Sequence, residues 1–166
     1  MGDGVVAGAV AWASSGLPST LHALATGRDV LAAARAAGTL VAPAGSRSPV
    51  LLTGAAIAHT GVSLGWAAAL ALTLPERHTV PAGAAAGLLI AGLGLGVVGR
   101  HYPAIAALPT SAQVADHLAF GTVVALVVRR RRQQRAGAAA QPPGGAANAA
   151  QRGSVPTGVG GLSPAQ

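Results

Sequence analysis

The stretch VLLTGAAIAHTGVSLGWAAALALTL, residues 50–74, decides the fold class. It holds no Asp, Glu, Lys or Arg, and its one strongly polar group is His59, with Thr and Ser around it. A helix rises about 1.5 Å per residue and the hydrocarbon core of a bilayer is about 30 Å thick, so a crossing needs about 20 such residues. A helix of a water-soluble bundle would place polar residues at regular intervals along one face. None does so here, and the stretch reads as a transmembrane helix.

Three further stretches read the same way, around residues 4–24, 80–98 and 108–128. The composition agrees: 51% of the 166 residues are hydrophobic and only 9% are charged, against about 25% charged in a soluble domain. So little charge cannot solvate a globular surface of this size, whereas lipid can replace water over most of it. The expected architecture is an all-α membrane protein, a bundle of four transmembrane helices over residues 4–132, multi-pass in the cell membrane. A short helix over 30–41, with Asp29 as its N-cap, is too short to cross and carries Arg35. It is expected to lie at the interface or to re-enter shallowly. Residues 136–166, rich in Ala, Gly, Gln, Pro and Ser, have no periodicity and are expected to be disordered. Ala11-Trp12-Ala13 resembles a signal-peptide cleavage site, but the residues before it include Asp3 and no basic side chain, so an uncleaved first span is expected.

Charge sets the orientation. All eleven basic residues are Arg, and Arg129, Arg130, Arg131 and Arg132 close the last span. With four crossings both termini share one side. Placing them in the cytoplasm puts Arg77, Arg129 to Arg132 and Arg135 inside and leaves Arg28, Arg35, Arg47 and Arg100 outside, as the positive-inside rule favours. The net charge of +7 does not indicate nucleic acid, because aromatic residues are 2% of the chain and no basic patch is interleaved with stacking rings. Membrane lipids are the expected partners, with a homo-oligomer or another membrane protein as the protein partner. The 0 cysteines exclude disulfides and thiolate chemistry.

Packing is written in the small residues. Gly4, Gly8, Ser15, Ser19 and His22 share a face of the first span, and Pro18 predicts a kink there, with Ser14 and Ser15 compensating. In the third span Gly83 and Gly87 lie on one side and Gly92 and Gly96 nearly opposite, which predicts a central helix in contact on both faces.

The polar residues inside the spans are His22, His59, Asp116 and His117. His59 and His117 each lie nine residues into their spans, about 14 Å deep from the same interface, so three helices bring four ionisable groups toward one leaflet. Such groups are costly at that depth, and a functional role is the default hypothesis. Two readings stand. The groups are structural glue, Asp116 pairing with His22, His59 or Arg100, or they form a proton or ion pathway. His59, His117 and Asp116 are weak candidates for a metal site, since no His-x-x-x-His or His-Glu pair on one helix supports it, and no cofactor or catalytic residue is expected. Gly92-x-Gly94-x-Gly96 lies within an apolar span with no strand before it, so it is a packing feature and not a phosphate loop.

At Gly4-Val5-Val6-Ala7-Gly8, Ala58-His59 and Val114-Ala115-Asp116-His117-Leu118-Ala119-Phe120-Gly121 the chain resembles a group of small, uncharacterised bacterial membrane proteins, actinobacterial in type. The resemblance covers residues 4–132. It implies the four-helix architecture and draws His59 and His117 together. It implies no activity.

Overall fold

The computed structural model describes residues 2–140, and within them all the regular structure is helical, with no strand. The elements are α1 (Gly2–Ser14), α2 (Leu17–Ala25), α3 (Ala32–Gly38), α4 (Ser48–Thr73), α5 (Thr79–Leu93), a π-helical turn (Gly94–Val98), α6 (Gly99–His101), α7 (Pro103–Ala106) and α8 (Thr110–Ala140). The contacts divide the chain after Arg132: one unit is Met1–Arg132, and of the other the described residues 133–140 continue the α8 helix. That helix therefore takes in 136–140, where the sequence suggested none. The rest of the tail expected to be disordered, 141–166, lies outside the described residues.

Among the described residues, three helices are long and apolar enough to cross a membrane: Ser48–Thr73, Thr79–His101 and Thr110–Ala140. The third span of the sequence reading is the second of these, continued through the π turn. The first expected span is not a single helix. It breaks at Ser15 and Gly16 into α1, of 13 residues, and α2, of 9. At about 1.5 Å per residue α1 is about 20 Å long, short of a bilayer core. The cause is local. Pro18 has no N–H to donate backward and sits in the first turn of α2, a position that suits a helix start. What reads as a kink within one helix is the end of one and the beginning of another.

The interior of the first unit is built from small side chains. Ala7, Ala11, Ala67, Val124 and Ala125 are fully buried, while Leu72 is 84% and Leu89 71% exposed. Large apolar groups outside and alanine inside suit a lipid solvent, where close backbone approach rather than water exclusion drives helices together. Gly4 lies over Ala68 and Gly8 over Leu64 and Ala67, so that α1 lies against α4. On α5, a Cβ added at Gly83 would stand 2.6 Å from the Gly121 carbonyl oxygen and overlap Ala125. One added at Gly87 would overlap the His117 carbonyl, and one at Gly121 would come within 2.8 Å of the Gly87 nitrogen. Here α5 and α8 touch backbone to backbone. The opposite face of α5 differs from the expectation: nothing among the described residues lies within 4 Å of a Cβ at Gly92 or Gly96. Close contact is made on one face of this helix, not two.

Short elements close the ends. The predicted 30–41 helix is the seven-residue α3 flanked by turns, and Gly38 lies directly against the Leu51 backbone of α4. The hairpin at 75–78, between α4 and α5, is tight, with His78 in the left-handed region at φ 58°. Thr79 donates its hydroxyl to the Pro75 and Glu76 carbonyls at 2.8 and 3.0 Å.

Candidate functional site

The break in the first span creates two helix ends where a continuous helix would have none. Each end leaves unpaired backbone groups and a partial charge, positive at the start of α2 and negative at the end of α1. The residues that sequence reading singled out inside the spans are the ones that meet them.

Gly16 precedes α2 and offers no side-chain cap. Its carbonyl accepts the Thr20 N–H at 3.1 Å, Pro18 has no N–H, and the Ser19 N–H is left to find a partner outside the helix. It donates to Asp116 Oδ1 at 2.9 Å, and the Ser19 hydroxyl donates to Oδ2. A carboxylate from α8 thus caps the N-terminus of α2, where negative charge is favoured. Asp116 pairs with neither His22, His59 nor Arg100, the partners expected for it. Ser19 was read only as a small residue on a packing face. A signal was present: Gly16-Leu17-Pro18 is a helix start, and a helix starting there leaves the Ser19 amide exposed.

The other end of the break is met from α4. His59 Nε2 lies 3.2 Å from the Trp12 carbonyl oxygen and 3.3 Å from the Ser15 hydroxyl. A carbonyl only accepts, so this contact selects the ring with its proton on Nε2. The Trp12 ring lies beside the imidazole, with centroids 6.0 Å apart and planes tilted by 40°. Ser14 returns its hydroxyl to the Val10 carbonyl at 3.0 Å within α1 and so does not make up for the bond that Pro18 lacks, which would have gone to the carbonyl of Ser14 itself.

His117 is separate from both. Its Nδ1 donates to the Gln113 carbonyl at 2.7 Å, one turn back on α8, which leaves Nε2 with a lone pair. That nitrogen lies 3.8 Å from where a Cβ on Gly94 would stand, at the start of the π turn. Gln113, which is buried, donates from its amide to the Ile105 and Leu108 carbonyls at 3.1 and 3.3 Å and so ties α7 to the start of α8. His22 lines a cleft with Arg28, Asp29 and Arg35. The four residues read as one constellation therefore occupy three settings: a capped break, a ring facing the π turn, and a cleft. Among the described residues no three of His, Asp or Glu lie together so as to hold a metal ion, and no buried side-chain nitrogen or oxygen lacks a partner.

At the opposite end of the unit the arginine run divides in two. Arg131 Nε donates to Asp3 Oδ1 at 2.6 Å. Arg132 donates to the Ala71, Leu74 and Pro75 carbonyls at 3.2, 3.0 and 3.4 Å, so it caps the C-terminus of α4. Arg129 and Arg130 are exposed. The start of α1, the end of α4 and the basic segment of α8 thus share one end of the unit. No protein-family model matches this chain, and no curated protein or solved structure shows significant similarity to it.

Proposed function

We propose that the chain is an integral membrane protein of four crossings, with α1 and α2 together forming a broken first one, whose role is structural: a helix bundle that joins a larger membrane assembly as an accessory subunit or a homo-oligomer. The observation that carries this reading is the use to which the intramembrane polar groups are put. His59 and Asp116 cap the two sides of one helix break, which is what glue requires and a pathway does not. Both termini face the cytoplasm in this reading, with α3 at the opposite interface. The bond between Asp3 and Arg131 supports an even number of crossings, and the exposed Arg129 and Arg130 suit the anionic inner leaflet. Gly61 and Gly65 on α4, with Gly92 on α5 and Gly96 in the π turn, are open to close approach by a partner helix.

The absence of cysteine makes the test direct. Single cysteines replacing Gly61 or Gly92 are expected to form disulfide-linked dimers or adducts with one recurring membrane protein when native membranes are oxidised. Uniform failure to cross-link at every open glycine counts against an assembly role.

A second reading, a small proton- or ion-coupled transporter or channel, draws on the break itself. Interrupted helices with an ionisable group at the half-helix terminus are a recurring device of transporters, and Asp116 at the start of α2 has that arrangement. Proteoliposome flux that Asp116→Asn abolishes would favour it, and flux indifferent to that change removes it.

A further inference from the structure

A cleft of about 450 Å³ lies among α2, α3, the segment before α3, α7 and the start of α8. Its volume is within the roughly 300–1,000 Å³ of small-molecule sites. Alanine and leucine line much of it, and its polar groups include Ser19, His22, Arg28, Asp29, Arg35 and Gln113.

Among the lining residues two arginines stand against one carboxylate, Asp29, while the carboxylate of Asp116 is taken up by Ser19. Both Asp29 oxygens are engaged: Oδ1 accepts the Leu31 N–H at 2.8 Å and Oδ2 pairs with Arg35. That pair fixes Arg35 while leaving the rest of its five-donor fork unengaged among the described residues. The Arg28 backbone N–H donates to the Ala23 carbonyl at 2.8 Å, but its guanidinium has no hydrogen-bond or ion partner among the described residues, and His22 adds a ring nitrogen. Gln113 has its amide committed to the Ile105 and Leu108 carbonyls. Arg47, just before α4, and Arg100, on α6, are exposed and do not line the cleft, while Glu76 belongs to the hairpin between α4 and α5. Two guanidinium groups on one cavity, one of them held in place by a carboxylate, suit the planar, multi-donor recognition of phosphate.

We propose that this cleft is a phosphate-binding site, with Arg28 and Arg35 as the recognising groups. The phosphate is carried either by a lipid headgroup or by a small soluble molecule. The lipid source rests on the membrane reading above; the soluble source does not.

The full chain, purified in uncharged detergent with Arg129→Gln and Arg130→Gln to silence the exposed basic residues, is the reference protein. Phosphatidylglycerol and phosphatidylcholine adducts are compared by native mass spectrometry, and inorganic phosphate binding is measured by calorimetry. A preference for phosphatidylglycerol that Arg28→Gln and Arg35→Gln each reduce about tenfold supports the site with a lipid source. Inorganic phosphate binding that the same changes weaken about tenfold, without preference between the lipids, supports it with a soluble source. Arg28→Gln keeps the proposal testable if loss of the Asp29 pair disturbs α3. Binding of both probes unchanged by Arg28→Gln in a protein that keeps its helical spectrum overturns the proposal. Failure of the membrane reading shows separately, as release of the wild-type chain from membranes by alkaline carbonate.

Discussion

The contact between α5 and α8 and the break between α1 and α2 solve opposite problems. At the first, Gly83, Gly87 and Gly121 remove side chains so that two intact backbones touch. At the second, an interrupted backbone leaves polar ends, and side chains from α4 and α8 are brought in to satisfy them. One joint depends on the absence of atoms and the other on their presence. The α8 helix serves both, with Asp116 and Gly121 little more than one turn apart. The two joints should therefore fail differently: the glycine contact by steric overlap with no chemical remedy, and the break by degrees set by which hydrogen bonds a substitute can still make.

The largest effect is expected at the glycine contact. Gly121→Leu places side-chain atoms where the Gly83 carbonyl and the Gly87 nitrogen already stand. Rigid backbone cannot yield as a flexible side chain would, and overpacking of this kind costs about 3 kcal/mol or more. Loss of the folded species in detergent, followed by size-exclusion chromatography and thermal melting, checks this. Gly92→Leu, on the open face of the same helix, is the control and should melt within a few degrees of the parent. Equal damage from both would mean that helix propensity rather than contact governs the glycines.

The break comes next. Asp116→Leu strips both acceptors from Ser19 and leaves an unsatisfied amide at a partly buried helix start, a loss of about 1–3 kcal/mol. Asp116→Asn retains one carbonyl acceptor and should cost about 1 kcal/mol or less. Ser19→Ala removes the hydroxyl but keeps the amide bond, and should resemble the Asn variant. Melting temperatures ordered Leu below Asn, with Asn close to the Ser19 variant, fit a capping role. If Asn proves as damaging as Leu, the charge matters and hydrogen bonding alone does not explain Asp116.

These two joints were not equally legible in the sequence. Gly83 and Gly87 follow from spacing alone, because four residues make slightly more than one helical turn and small groups repeat on one face. What spacing could not tell was that Gly92 and Gly96 would find no neighbour, since a bare face looks the same whether covered or open. The four polar residues were visible because ionisable groups within apolar spans stand out. Their partners were not, because the decisive groups are backbone atoms: the Ser19 amide and the Trp12 carbonyl exist as sites only once the helix has broken. Pro18 carried that information but is compatible with either a kink or a new start. The fates of Arg131 and Arg132 were hidden similarly. A run of arginines predicts an interface, and nothing in it says which member will turn toward the α4 carbonyls.

That division within the run extends the comparison to the far end of the unit. Arg132 performs for the end of α4 what His59 performs for the end of α1, donating to carbonyls that lack intrahelical partners. Arg132→Gln is expected to destabilise by about 1 kcal/mol. Arg131→Gln breaks a pair in which the Arg side chain is 37% exposed and Asp3 15%, and with solvent screening should cost about 0.5 kcal/mol. Raising the salt concentration should shrink the second effect much more than the first. Equal salt sensitivity would mean that Arg132 acts as a general positive charge and not as a cap.

The smallest effect is expected at Asp29, where the same chemistry as at Asp116 is exposed to solvent. Its bond with Arg35 and then the Leu31 amide hold its carboxyl below the ordinary aspartate value of 3.8. A carboxylate with a lowered pKa lends stability that is fully present above the unfolded value and is lost as pH falls through the folded one. The contact should therefore be complete from neutral pH down to about 4 and fade only below that. Asp29→Asn should leave the melting temperature at neutral pH almost unchanged, because water competes for an exposed pair as it does not for a half-buried cap. Following the Asp29 carboxyl carbon by NMR during acid titration checks the direction. A midpoint above that of an unstructured aspartate would show that Arg35 is not its partner, and Arg35 would then be free to swing out of the cleft.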